Sequence, residues 1–284
     1  MSDSGTLIVF HQAHDALLHF DAGGDLVGRF GGEQWRGAHG LSRVLRDGEE
    51  FLWLTDQFSG QVCRTTLDGT VIQELARPKH AVYASAEYSP TWAAEHPIDR
   101  RVYVADGYGA NLVHVFDTNG KQLESWDGER GAGRFSEPHG IACRLGSDGV
   151  EVWVTDRSNH RIQIFDAEGD LLRSSLVCHS PCMFAFHRDQ VIVPELFTPV
   201  RILDVESLEP VFAIGHNDQV QPHADPQQWW PPVAPEGWSN VASDRLEPGV
   251  FNSPHAACFG TDGDIYVVEW IVGGRITRLE RARA

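Results

Sequence analysis

A segment of about 25 residues recurs along the chain, and that recurrence limits the fold more than any other feature. Three copies superpose closely: FLWLTDQFSGQVCRTTLDGTVIQEL at 51–75, RVYVADGYGANLVHVFDTNGKQLESW at 101–126 and VEVWVTDRSNHRIQIFDAEGDLLRSSL at 150–176. Each has an alternating apolar run, an acid, a short turn, a second run, a turn with Asp and Gly, and a third run. Weaker copies begin at Leu7, Val191 and Asp264, and a further short run precedes five of the six, at 39, 81, 139, 182 and 255. Alternation with period two, broken by Gly and Asp turns, predicts half-buried antiparallel strands. Six units of four strands predict an all-β, six-bladed β-propeller with four-stranded antiparallel blades, one domain over residues 1–284. The first unit lacks its opening strand and the last its closing one. Two segments break the period and read as insertions: 84–98, and 216–253 with Trp229, Trp230 and Trp238, expected to be an ordered lid.

Composition narrows the partners. The 284 residues carry 40 acids against 23 bases, a net charge of −17, with no basic cluster. Such a field repels nucleic acid and anionic lipid, which leaves a small molecule as the expected partner. The start, MSDSGTLIVF, has no basic region ahead of its short apolar run, so no signal peptide is expected. No window reaches the length of a membrane helix. The five cysteines, Cys63, Cys143, Cys178, Cys182 and Cys258, read as reduced apolar fillers in a cytoplasmic protein. A second copy could cover an exposed blade edge.

In a propeller blade, the entrance to the first strand and the exit from the second lie at the same end. Residues at those two positions should therefore gather around one channel mouth. Three entrances carry histidine: His39 in RGAHGL, His139 in EPHGIA and His255 in SPHAAC. They belong to the second, fourth and sixth units, and alternate blades of a six-fold ring are about 120° apart. Three imidazoles so placed suit a transition metal with coordination positions left open. The third and fifth units offer His80 and Cys182 nearby, in a different context. At the exits, Asp56, Asp106, Asp156, Glu195 and Glu269 form one column, read as a structural lock between neighbouring blades. The residues after the acids differ from unit to unit. Tyr108 follows Asp106 and could act as a general base beside a dication, Arg157 follows Asp156 and could hold a carboxylate or oxyanion, and Trp270 after Glu269 could line the substrate. His160, in an inter-strand turn, reads as structural.

The segment VWVTDRSNHRIQIFDAEG, with Asn159-His160-Arg161, resembles the NHL-repeat family of β-propellers. Within it, the stretches AHGLSRV with LWLTD, VYVADGYG, PHGIACRL with VWVTD, and SPHAACFG with IYVVEW resemble the peptidyl-α-hydroxyglycine α-amidating lyases. The resemblance implies that His39, His139 and His255 hold zinc, that Tyr108 is the base, and that Arg157 acts on the substrate. The chain also departs from that pattern. A substrate arginine in the family's first blade is Gln12 here, which cannot supply a charge to a terminal carboxylate. The acid that holds the family's calcium is Ala256, so that site is not expected, and a disulfide cysteine is Gly109. The reading that results is a zinc lyase for a small carbinolamide-like substrate. Its rivals are a hydrolase or hydratase using the same metal, and a non-catalytic propeller that binds protein.

Overall fold

The computed structural model describes residues 1–218, 247–271 and 273–282. Trp229, Trp230 and Trp238 lie outside the described residues, and so does most of the segment read as a lid. Twenty-two strands among the described residues form six antiparallel sheets, the blades of an all-β, six-bladed β-propeller. They group into two compact units, residues 1–159 with 163–174, and residues 160–162 with 175–284.

The first blade holds β1 (Leu7–Phe10), β2 (Leu17–Phe20) and β3 (Leu26–Phe30), and the second holds β4 (Ala38–Arg46), β5 (Glu49–Asp56), β6 (Val62–Thr65) and β7 (Val71–Glu74). The third holds β8 (Trp92–Glu95), β9 (Val102–Asp106), β10 (Leu112–Phe116) and β11 (Gln122–Trp126), and the fourth holds β12 (Pro138–Leu145), β13 (Val150–Asp156), β14 (Arg161–Phe165) and β15 (Leu171–Ser175). The fifth holds β16 (Ala185–His187), β17 (Gln190–Pro194), β18 (Val200–Asp204) and β19 (Pro210–Ile214). The last holds β20 (Pro254–Phe259), β21 (Ile265–Glu269) and β22 (Arg275–Leu279). Strands follow sequence order across every sheet, and the first and last sheets have three strands, as the repeat predicts.

The core lies between successive blades. In β5 the side chains alternate between two such layers. Leu52 and Leu54 pack with Leu17, Trp35 and Ala38 on one face, while Trp53 packs with Val62, Val102, Val104 and Phe116 on the other. Both faces of the strand are covered, so its sequence reads as a nearly continuous apolar run. A comparable layer in the second unit joins Ile192, Val200, Ile202, Phe251 and Val267. The outermost strands keep one wet face, as in Leu171–Ser175, where partly buried and exposed residues alternate. None of the five cysteines forms a disulfide among the described residues, and burial pushes the Cys63 thiol up to about 12. No helix among the described residues is long and apolar enough to cross a membrane.

One sequence assignment fails. The run at 81 is not a strand: Ala81–Ala84 is a short 3-10 turn capped by His80, whose side chain accepts from the Val82 N–H. The third blade opens instead with β8, inside the segment 84–98 read as an insertion. Alternation misleads at 81 because a polar network holds that segment. The Tyr83 hydroxyl donates to Asp106 Oδ2 at 2.7 Å and lies 2.6 Å from His114 Nε2, while His114 Nδ1 lies 2.8 Å from Ser125 Oγ. The true opening strand ends in Glu95, which accepts the Trp53 indole N–H at 2.8 Å and pairs with Arg46 at 2.5 Å. A buried carboxylate here is held by a guanidinium and an indole, which offsets its desolvation.

His114 is fully buried, and burial, reinforced by the neighbouring His80, lowers its pKa from 6.5 to about 3. The unfolded chain therefore takes up this proton before the folded protein does. The contribution is intact above pH 6.5 and is lost as pH falls toward 3. At pH 5 the loss should be about 2 kcal/mol. Between pH 7 and pH 5, His114→Gln should lose about 2 kcal/mol less stability to urea unfolding than the wild type loses.

Candidate metal centre

The entrance histidines sit on a deformed piece of backbone. In β4 the register slips between Ala38 and Leu41, in β12 between Pro138 and Ile141, and in β20 between Pro254 and Ala256. Each irregularity falls at the histidine, and a bulge of this kind re-aims a side chain relative to its strand. The amide freed by the slip finds a fixed partner. Gly40 N–H donates to Thr55 Oγ1 at 2.8 Å, and Gly140 N–H donates to Thr155 Oγ1 at 2.6 Å. Gly40 is required by close approach, because a Cβ there would meet the Thr91 carbonyl oxygen at 2.4 Å.

The loops at the two predicted positions are tied together in every blade that has both. Backbone N–H groups after the second strand donate to carbonyls two residues before the entrance position: Gln57 to Gly37, Tyr108 to Ser89, Arg157 to Glu137, Leu196 to Ser180 and Trp270 to Ser253. The acid column reinforces the same join. Asp56 accepts from Gly37 N–H at 2.7 Å, Asp106 from Ser89 at 2.7 Å, Asp156 from Ser136 at 2.7 Å and Glu269 from Asn252 at 2.7 Å. These acids are structural, but they lock the entrance loop of their own blade, not a neighbouring blade. Glu195 likewise accepts a backbone N–H from His179 in its entrance loop and pairs with Arg201.

In the first unit, His39 Nδ1 donates to the Thr91 carbonyl at 2.7 Å, which makes Nε2 the nitrogen that carries the lone pair and can accept or bind a metal. Burial is the main cause that lowers the His39 pKa to about 4, against a smaller upward pull from Thr91, so the ring is neutral at pH 7. His139 is fully buried, with its ring centroid 4.7 Å from that of His39. The Tyr108 oxygen lies 3.1 Å from His39 Nε2 and 3.1 Å from His139 Nε2. It has one proton and can donate to only one of them at a time. Arg157 Nη2 donates to the same oxygen at 3.2 Å and its guanidinium lies 5.3 Å from the centre of the tyrosine ring, a placement that favours negative charge on the phenol. His39, His139 and His255 are a group of three imidazoles that could hold a metal ion.

The remaining predicted residues divide. Gln12 reaches this end of the first blade, where its amide donates to the Ala38 carbonyl at 3.3 Å. Trp270 holds the exit position of the last blade through its backbone bond to Ser253. His80 caps the 3-10 turn, and the entrance of the third blade belongs to Thr91. Cys182 does occupy the fifth entrance, its N–H donating to the Pro194 carbonyl. His160 accepts from the Ser180 N–H at 3.2 Å and stacks on His179 at 4.0 Å. Two contributors escaped the sequence reading. Thr91 could have been found from SPT at 89–91, which parallels EPH and SPH. Glu137 directly precedes the Pro-His pair and binds Arg157 Nη2 at 2.5 Å, and no sequence signal marks it.

Residues 135–165 match the NHL repeat. The chain is 32% identical over 143 residues to peptidyl-glycine alpha-amidating monooxygenase B of Xenopus laevis, covering 46% of this chain and 15% of that protein. The matching form A of the same species is also 32% identical, with 14% of its length covered, so the chain spans about a seventh of these relatives. Human NHL repeat-containing protein 3 is 29% identical over 209 residues, 65% of this chain and 59% of its own. Among solved structures, a streptogramin B lyase has a TM-score of 0.54 at 14% identity, covering 98% of this chain and 77% of that one. A protein of unknown function from Bacteroides caccae has a TM-score of 0.59 at 15% identity, covering 97% and 89%. The structures share the fold. In sequence the chain carries an NHL repeat and is similar to the peptidyl-glycine alpha-amidating monooxygenases.

Proposed function

We propose that the protein is a metal-dependent lyase in which His39, His139 and His255 hold zinc and Tyr108 removes a proton from a small, hydroxylated, carbinolamide-like substrate. The observation that carries the reading is the Tyr108 oxygen, 3.1 Å from the Nε2 of each of two imidazoles and 3.2 Å from an arginine. The histidines fit a metal because the Nδ1–H of His39 is committed to Thr91 and its Nε2 points away from that bond. When bound, the ion supplies Lewis acidity that lowers the pKa of a nearby hydroxyl and stabilises developing negative charge on oxygen. Other dications suit three imidazoles as well, and zinc follows from the likeness to the amidating enzymes.

The protein's own groups perform the proton chemistry. Tyr108 takes the proton of the substrate hydroxyl, and the O–H pair becomes the new carbonyl bond. The C–N bond breaks, its electron pair leaves on nitrogen, and the phenol returns a proton to that nitrogen. An amide and an aldehyde result. Arg157 steadies negative charge on Tyr108 through its short contact with the phenol oxygen. Under this reading the partner is a small molecule, not nucleic acid or a membrane. Five cysteines with no disulfide among the described residues are in keeping with the cytoplasm.

Plasma mass spectrometry on the purified protein should find about one equivalent of metal, and His139→Ala should lose it. No metal in either protein after zinc reconstitution would leave a non-catalytic propeller as the better account. Tyr108→Phe should keep its metal and lower turnover of a carbinolamide by about 10²–10⁴-fold. Turnover in ¹⁸O-water separates elimination from hydrolysis at early times. The lyase reading expects an aldehyde whose oxygen comes from the substrate hydroxyl, whereas solvent label in the aldehyde at early times, or a labelled carboxylic acid in place of the amide, would mark a hydrolase.

A further inference from the structure

Arg157 is 5% exposed, and its Nη2 is shared between the Tyr108 oxygen and the Glu137 carboxylate, which it meets at 2.5 Å. Glu137 is itself fixed from three sides. Its second oxygen accepts from Ser158 Oγ at 2.5 Å, its backbone N–H donates to Asn111 Oδ1 at 2.8 Å, and its carbonyl accepts from Arg157 N–H at 3.1 Å. Its backbone adopts a φ of 58°, so the chain accepts an uncommon conformation to aim this side chain. A bidentate clamp on a substrate carboxylate needs a guanidinium whose charge is not already matched. On the same side, Gln12 is neutral and its amide is engaged with Ala38.

We propose that Glu137 is a positioning residue that neutralises Arg157 and turns it toward Tyr108, and that the site accordingly takes an uncharged hydroxylated amide in preference to an α-hydroxy acid. This rests on the lyase reading for the identity of the reaction, but the charge preference is a property of binding and can be read without turnover. An anionic substrate would enter beside a half-buried carboxylate with its partner already taken, at a cost in affinity that a carboxamide of the same shape escapes.

The test is calorimetric titration of the metal-loaded protein with N-benzoylglycinamide and N-benzoylglycine, whose termini match in shape and differ in charge and in the amide's N–H donors. The wild type should bind the amide at least about tenfold more tightly, and Glu137→Gln should shift the ratio toward the carboxylate by about tenfold. Glu137→Asp keeps the charge and should retain the wild-type order, which a merely structural role for the side chain would not predict. Tighter binding of the carboxylate by the wild type overturns the proposal, as does binding of neither ligand. An unchanged ratio in a folded Glu137→Gln also overturns it, and if that variant does not fold the wild-type ratio decides. Turnover of N-benzoyl-α-hydroxyglycinamide, followed by proton magnetic resonance, is scored separately. No cleavage with the amide preference intact would remove the lyase reading and leave the charge preference standing.

Discussion

A carboxylate at the end of the second strand holds the loop that feeds the first strand, and the candidate site depends on that join. Asp56, Asp106 and Asp156 are buried, each accepting a backbone N–H from its own entrance loop. Every such bond is charge-assisted in a dry setting, where it is stronger than a neutral pair and costly to lose. With the backbone bonds from the exit residues to the same loops, it fixes where an entrance histidine begins and where an exit side chain departs. Loops are usually the mobile parts of a fold, and here two of them are cross-tied at the point where chemistry is expected.

On that frame, the blades share the work unequally. The second, fourth and sixth place histidine at the entrance, on a register slip that turns the ring away from the ladder. The third places Thr91 there, and its carbonyl receives the His39 Nδ1–H. Its hydroxyl is spent on the Ala105 and Pro138 carbonyls, both at 3.2 Å, so the position is satisfied internally and supports the ligand beside it. The second layer of such a site sets tautomer and orientation as firmly as the ligands set identity.

Much of this was legible in the residues. The repeat gave six blades and a three-stranded sheet at either end, and the Ala-His or Pro-His contexts located the three histidines. What escaped has physical causes. The run AVYASA at 81 alternates like a strand, yet Tyr83 is bound to Asp106 and His114, and that polar anchoring is invisible to hydrophobic period. Because that run took the place of the opening strand, Thr91 was missed although SPT repeats the form of SPH. Glu137 was missed for another reason. A surface-like acid next to a proline carries no periodic signal, and its partner Arg157 is 20 residues away.

The position of Tyr108 shows how a small departure from the repeat makes a site. In the second, fourth, fifth and last blades, the residue immediately after the acid makes the backbone bond to the entrance loop; in the third it is Tyr108, one residue later. Gly107 stands where Gln57 and Arg157 stand in their blades, at the same spacing after the acid, and a Cβ there would meet the Pro138 carbonyl oxygen at 2.4 Å and Thr91 at 3.0 Å. Only glycine lets the turn run that close to the next entrance. The backbone bond to the entrance loop moves one residue on, and the tyrosine oxygen stands 3.1 Å from His39 on one blade and 3.1 Å from His139 on another. Regular blades supply the ligand positions by repetition, and a glycine directly after the acid lets one turn place the group that repetition cannot set between them.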